Sequence, residues 1–429
     1  MSKRPVDAAK RVPNLQEATR VWARIGLLSF GGPAAQIALM HREIVEERSW
    51  LTEQQFLNAL SFCMLLPGPE AMQLATYAGW RLHGGLGGLI AGLLFVLPGA
   101  AVILALASIY AALGDVPLVG ALFFGIKSAV LVIVIEALLR VAKKALVERR
   151  HWVIAGLAFL GIFVLALPFP LVVLLAGAYG AFSAVQPSTE TSTPVHVSLG
   201  QTLRTAALWL GIWALPFVVL GGLSAPALLT DVGLFFSKLA VVTFGGAYAV
   251  LAYMAQDVVS QFGWLAPGEM VDALGLAETT PGPLILVTQF VGFLAGFHAG
   301  GFPLALAAAL IALWVTFTPC FLWIFVGAPY IEWISSQPRL RGALRAITAA
   351  VVGVILNLSI WFALHVIFAE VRQVHYGMVT LWQPNFASIE GLALALFALC
   401  ALLAFRFHWG ILQILALSAL LGGALRLAF

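Results

Sequence analysis

Long apolar stretches joined by short polar connections run the length of this chain, and several of them are broken internally. Val21 to Met40 is interrupted at Gly31-Gly32-Pro33, and polar, mostly acidic His41 to Glu53 follows. Phe56 to Leu82 is apolar again and interrupted at Pro67-Gly68-Pro69. Leu86 to Leu113, carrying Pro98, and Val116 to Leu139 come next. Trp152 to Val185 holds two short runs hinged at Pro168-Phe169-Pro170. The Ser/Thr/Pro-rich stretch Gln186 to Gly200 reads as a linker, and Leu203 to Leu228 is apolar once more. Interrupted runs then return at Leu234 to Met254 and Met270 to Phe297, followed by Pro303 to Val326, Leu344 to Phe368 and a final pair within Leu392 to Phe429. Runs near ~20 residues are the length a spanning helix needs.

The second set of breaks repeats the first. Leu28 to Pro69 aligns with Val242 to Pro283 without a gap at a constant offset of 214, which pairs Phe30 with Phe244, Trp50 with Trp264 and Pro67 with Pro281. Fourteen of these 42 positions are identical, among them Phe-Gly-Gly, Trp-Leu and Pro-Gly-Pro. Shared greasiness would match Ala and Leu, but not two glycine breaks, a tryptophan and two prolines at one spacing. The chain is a duplication. It divides into a basic amphipathic lead (1–20), a first membrane repeat (21–185), a polar linker (186–202), a linking helix (203–228) and a second repeat (229–429).

That unpaired linking helix predicts that the second repeat is upside down relative to the first. Short cytoplasmic loops are enriched in Lys and Arg. In the first half Gly114 to Pro117 has neither, whereas Arg140 to Arg150 has five; in the second half Ser335 to Arg345 has three and Ala369 to Glu390 only Arg372. The expected architecture is an all-α polytopic membrane protein of two inverted repeats, with broken transmembrane helices and about 13 crossings. It puts the N-terminus and the linker in the cytoplasm and the C-terminus outside. Phe56 to Leu82 can cross once as a broken helix or dip and return, and charge parity favours a crossing.

Composition fits a bilayer solvent: 62% of residues are hydrophobic, 10% are charged, and the mean hydropathy is +1.00. Soluble domains carry roughly 25% charge. The net charge of +4 sits at segment ends, as topology requires, so nucleic acid is excluded as a partner. The lead has no cleavable signal peptide pattern. Cys63, Cys320 and Cys400 lie in apolar runs without metal or disulfide spacing, and no cofactor or metal is implied. An embedded enzyme would need a catalytic cluster, yet there is no H-E-x-x-H, phosphate loop or C-x-x-C.

Inverted repeats with paired broken helices point to a secondary transporter that binds near the midplane. A helix broken inside the bilayer frees backbone N–H and C=O groups, tolerable only where protein, water or an ion satisfies them. An exposed helix N-terminus suits an anion. Candidate binding positions are therefore Ser29, Phe30, Gly31, Gly32, Pro67, Gly68 and Pro69, with Thr243, Phe244, Gly245, Gly246, Thr280, Pro281, Gly282 and Pro283 in the second copy. The plainer alternative is that the glycines only allow tight packing and the prolines only kink. Arg24 and Lys238 are matched at the same offset and can neutralise a dianion between them, or else snorkel to the interface. Ser29 and Thr243 are matched hydroxyl donors. Glu70 follows the first Pro-Gly-Pro, where Leu284 stands in the second copy, and is a candidate for proton coupling. Lys127 and Glu136 are unpersuasive as site residues.

The stretches FGGPAAQIALMHREIVEERSWLTEQQF and LLPGPEAMQLATYAGWRLHGGLGGLIAG resemble the signature of the chromate ion transporter family, and FGGAYAVL with TTPGP resembles its second-half pattern. The resemblance covers both halves, as in long-chain bidomain members. It implies efflux of chromate from a bacterial cytoplasm across the inner membrane, driven by protons, with sulfate as a competitor. A homodimer stays open. The residues themselves reach only a secondary carrier for an anion, because sulfate, molybdate and chromate all present four acceptor oxygens and two charges. A sulfate uptake or exchange carrier and a passive channel remain the rivals.

Overall fold

The computed structural model describes residues 13–113, 116–183, 198–223, 225–244, 247–377 and 379–428. Gly245 and Gly246, most of the polar linker and the first part of the basic lead lie outside these residues. The described residues are mostly helical, in keeping with an all-α polytopic membrane protein, and among them six helices are long and apolar enough to cross a bilayer.

The first break makes a hairpin. Helix α1 (Leu15–Leu28) starts on an Asn14 side chain that accepts from the Glu17 N–H. It stops because Gly31 and Gly32 adopt φ of 84° and 77°, a left-handed turn that costs glycine least. Helix α2 (Gly32–His41), with proline in its first turn, then runs back. The return is fixed by Arg24 meeting Glu43 at 3.5 Å and by Trp22 packing on Trp50.

Helix α3 (Glu53–Cys63) opens with a Thr52–Gln55 capping box and makes a second dip. After the Pro67-Gly68-Pro69 break, α4 (Glu70–Leu113) begins by returning alongside it, with Phe62 against Tyr77. Its first arm (70–82) ends where His83 Nε2 donates to the Pro13 carbonyl at 2.7 Å, so it comes back to the end of the molecule from which α1 left. At His83-Gly84 the helix reverses, and the second arm (85–113) crosses to the far end. The two arms touch backbone to backbone at Gly79 and Gly87, where any Cβ would collide with a carbonyl.

Helix α5 (Pro117–Ala145) crosses back, and α6 (Arg149–Phe163) and α7 (Phe169–Ser183) form a pair that starts and ends at the first end. Helix α8 (Leu199–Gly222) is the linking span. The second repeat then dips from the opposite end. Helices α9 (Ala227–Val242) and α10 (Ala247–Ser260) form one hairpin, with Phe235 on both Phe262 and Trp264. Helix α11 (Pro267–Thr279) and the first arm of α12 (Val287–Gly327) form the other, closed by His298 against Glu269 at 3.1 Å. A reversal at Gly300-Gly301 sends the second arm of α12 across. The short α13 (Ile331–Ser336) leads to α14 (Pro338–Ile367), which runs back between α6 and α7: Gly353 lies on Ala155, and Gly180 on Gly342. Helices α15 (Gly391–Phe405) and α16 (Ile411–Ala428) complete the chain, with α16 antiparallel to α5 through Ser418 and Gly125.

Two expectations change. The interrupted segments turn back instead of crossing, because the breaks at Gly31-Gly32, Pro67-Gly68-Pro69 and Pro281-Gly282-Pro283 are reversals whose freed backbone groups find partners in the protein. The favoured crossing of Phe56 to Leu82 is thus replaced by a re-entrant hairpin, and the number of crossings falls below the expected 13. The change is even, so residue 428 still lies at the end opposite residue 13. Ala369 to Glu390 also holds a β-hairpin, β1 (Val371–Tyr376) antiparallel to β2 (Val379–Pro384), anchored by the Thr380 N–H on the Val164 carbonyl.

First-repeat hairpins open toward one end and second-repeat hairpins toward the other. Arg42, Arg48, Arg81, Lys143, Lys144, Arg150, Arg341 and Arg345 all gather at the residue-13 end, with Arg372 and Arg426 opposite. Reporter fusions after Lys144 and after Arg345 are accordingly expected to report cytoplasm, and a fusion after Arg372 the outside. Opposite signals from Lys144 and Arg345 would contradict the inversion. Asp115, the other external position expected from the sequence, lies outside the described residues.

Candidate functional site

The tips of the hairpins meet, and they are wired crosswise between the repeats. Gly68 donates its N–H to the Thr243 carbonyl at 2.8 Å, and Gly282 donates its N–H to the Ser29 carbonyl at 2.8 Å. Gly68 matches Gly282 in the duplication, and Ser29 matches Thr243, so one bond is made twice. Ser29 and Thr243 each cap the C-terminal end of an entering helix, with similar dihedrals (φ −78°, ψ 64° and φ −75°, ψ 74°). Their carbonyls would otherwise be orphans inside the bilayer. Each Phe-Gly-Gly break therefore completes the Pro-Gly-Pro break of the other half.

Glutamine amides brace the junction. Gln36 Nε2 donates to the Gly282 carbonyl at 2.7 Å, and Gln73 Nε2 donates to the Pro67 carbonyl at 2.6 Å. The crossing arms of α4 and α12 form the walls. Gly99, just after Pro98, lies against the Pro281 carbonyl, and Cys320, just after Pro319, faces Gly68. Pro67, Gly68, Pro69, Thr280, Pro281, Gly282 and Pro283 are all buried. The Phe-Gly-Gly break of the first repeat is more open: Phe30 is 39% exposed, and Gly31 and Gly32 are half-buried. No side chain caps the start of α2 there.

The hydroxyls do not serve as expected. Ser29 Oγ donates to the Ile25 carbonyl, Thr243 Oγ1 to Leu239 and Thr280 Oγ1 to Ala277, so each proton returns to its own helix. It is the backbone of Ser29 and Thr243, not the side chains, that builds the junction.

The matched cations are also placed differently. Arg24 is held by Glu43, which Arg48 pairs with as well at 2.6 Å. Lys238 sits over the Tyr253 ring at 5.5 Å, with Asp257 in its field. Glu43 and Asp257 are themselves matched at the offset of 214. The fully buried Glu43 needs a cation, so the Arg24–Glu43 pair staples its own hairpin, and Lys238 packs on Tyr253 within its own hairpin. The signal was present in the sequence as a matched acid nineteen residues after each matched cation.

Glu70 opens α4 immediately after the break, where a carboxylate suits the positive end of the helix. Its carboxyl bonds its own backbone N–H there. The charged group that sequence reasoning set aside is the best partnered. Lys127 of α5 reaches Asp272 of α11 at 3.3 Å, and the Tyr110 hydroxyl of α4 donates to the same carboxylate at 2.8 Å. Asp272 is almost wholly buried and Lys127 largely so. Nothing in the spacing of Lys127 within its own helix pointed to this, because the partner lies 145 residues away in sequence.

At the crosswise bonds the start of α4 follows the Gly68 tip and the start of α2 follows Ser29, and a helix N-terminus carries a positive dipole end. Such a junction can hold an anion without a full cation in contact, much as helix N-termini hold phosphate.

A family profile described as "Chromate transporter" matches residues 17–181 and 230–423, one copy for each repeat. The chain is 31% identical over 366 residues to a protein of Pseudomonas aeruginosa named "Chromate transport protein", covering 82% of this chain and 83% of that one. It is 29% identical to a "Probable chromate transport protein" of Synechococcus elongatus, covering 80% and 83%. It is 28% identical to a "Chromate transport protein" of Cupriavidus metallidurans, covering 81% and 82%. No solved structure matches the chain.

Proposed function

Because the chain belongs to the chromate transporter family, we propose that it is a secondary carrier that exports chromate from a bacterial cytoplasm across the inner membrane, using the proton gradient. The basic end, which carries residue 13, is the cytoplasmic one. The observation that carries the proposal is the crosswise pair of bonds, Gly68 to Thr243 and Gly282 to Ser29. They tie the two inverted halves at one midplane junction, so that any rocking of one half against the other must be felt there. The dianion binds at the N-terminal ends of the returning helices, with Gly31 and Gly32 letting its oxygens approach the start of α2.

Everted membrane vesicles given labelled chromate, with a proton gradient imposed and then collapsed, test this directly. Accumulation that disappears with an uncoupler supports a coupled carrier. Uptake indifferent to the uncoupler would mean a channel, and accumulation of sulfate without chromate would mean a sulfate carrier.

Glu70 carries the coupling proton in this scheme, since it directly follows the first Pro-Gly-Pro break, where Leu284 stands in the second copy. Glu70→Gln is expected to keep anion-for-anion exchange while proton-driven accumulation falls at least tenfold, a change of ~1.4 kcal/mol or more. Equal loss of both activities would mark Glu70 as structural.

A further inference from the structure

At the residue-13 end, well away from the hairpin tips, α6, α7 and α14 enclose a cavity of about 450 Å³. Its polar lining consists of Arg150, His151, Tyr179, Ser183, Arg341 and Arg345. Arg341 and Arg345 are one turn apart on α14 and so present their guanidiniums on one face. The nearby acid is Glu148, which Arg150 binds at 2.6 Å. That hydrogen bond holds its carboxyl below the usual carboxylate range, and Arg341 and Arg345 add two further guanidiniums to the cavity lining. Beneath them Ile154 and Ala346 make an apolar wall, and the contact of Gly180 with the Gly342 backbone draws α7 against α14.

The cavity adjoins a broad outward apolar surface. On α6, Trp152, Val153 and Leu157 are 62%, 60% and 65% exposed; on α7, Leu174 and Phe182 are 69% and 81% exposed. Trp152 and Tyr179 stand near the helix ends that border the cavity, where amphipathic rings favour the headgroup region. A cationic cleft between helices at the basic end, continuous with a greasy face, has the two-part chemistry of a phospholipid. Its guanidiniums fit phosphate oxygens two at a time, and the helix faces receive acyl chains.

We propose that this cavity binds the phosphodiester headgroup of an anionic membrane lipid. The site is independent of the transported ion and of the junction between repeats. Occupancy would clamp α14 between α6 and α7, the same packing that carries α14 through the second repeat.

Purified, delipidated protein in a neutral detergent provides the test, with thermal unfolding followed in the presence of dioctanoyl phosphatidylglycerol, dioctanoyl phosphatidylcholine or inorganic phosphate at equal concentration. Phosphatidylglycerol well above its dissociation constant is expected to raise the midpoint by about 5 °C, and the other two by much less. The R341Q/R345Q variant is expected to lose that rise while its lipid-free midpoint stays near the parent's, because both side chains are exposed. R341K/R345K, which keeps charge but not the two-pronged geometry, should fall between. An equal rise with phosphatidylcholine, a full rise with phosphate alone, or a rise that survives in R341Q/R345Q would each overturn the proposal. The phosphate result would leave a small-anion site in place of a lipid site.

Discussion

Gly68→Ala is expected to abolish transport and to lower thermal stability. Gly68 has φ of 116°, which an L side chain adopts only under strain of about 1–2 kcal/mol. A Cβ there would also sit 2.9 Å from Gln73 Nε2 and 3.0 Å from Cys320 Sγ. Overpacking of this sort costs about 1–3 kcal/mol. Relief would move Gln73 off the Pro67 carbonyl and pull the Gly68 N–H from Thr243. Cys320→Ala removes one of the two obstacles, so Gly68→Ala/Cys320→Ala should regain part of the stability but not the share owed to φ. Gly282→Ala meets only Leu286 Cδ1 closely, at 3.1 Å, and should be milder although its φ is also positive. Gly32 is different again: φ is 77°, but no atom lies within 4 Å of an added Cβ. The left-handed backbone alone makes Gly32→Ala a modest loss of about 1–2 kcal/mol, with a larger fall in chromate flux if the α2 N-terminus receives the anion. Vesicle transport and the unfolding midpoint in detergent measure the two effects. A Gly68→Ala protein with parental values of both would show that the junction constrains nothing.

The duplication, the inversion and the position of every break could be read from the sequence, because glycine and proline mark backbone geometry directly and positive charge marks sidedness. Whether a break turned the chain could not. Pro-Gly-Pro is compatible with a kink or a reversal, and the choice rests on contacts such as His83 with Pro13 that join residues 70 apart. The same limit explains the cations. Arg24 and Lys238 were visible as a matched pair, but residue types alone do not say whether a charge faces a ligand or a neighbouring acid. Glu43 and Asp257 answered that only once the hairpins placed them beside the cations. Ser29 and Thr243 were singled out for their hydroxyls. The structure uses the one group that a sequence does not distinguish, the backbone carbonyl.

Breaking the Lys127–Asp272 pair from either side is expected to be more damaging than removing both partners. The pair joins α5 of the first repeat to α11 of the second, with Tyr110 of α4 completing the carboxylate's bonds. Stripping one partner leaves a charge stranded in an apolar interior, at a cost of about 3–5 kcal/mol. Asp272→Leu and Lys127→Met should therefore each lower the unfolding midpoint by about 5 °C or more. The double variant Lys127→Met/Asp272→Leu leaves no uncompensated charge and should recover most of that loss, since apolar replacement of a buried pair is often near neutral. Its transport then separates two roles for the pair. A stable double variant that still accumulates chromate shows the pair to be a strut between the repeats. A stable double variant that exchanges anions but no longer accumulates them would move the coupling proton from Glu70 to Asp272, the only change in assignment that fits both results. If the double variant is no more stable than either single one, the two charges do not interact as their 3.3 Å separation requires, and Tyr110 becomes the partner that matters to Asp272.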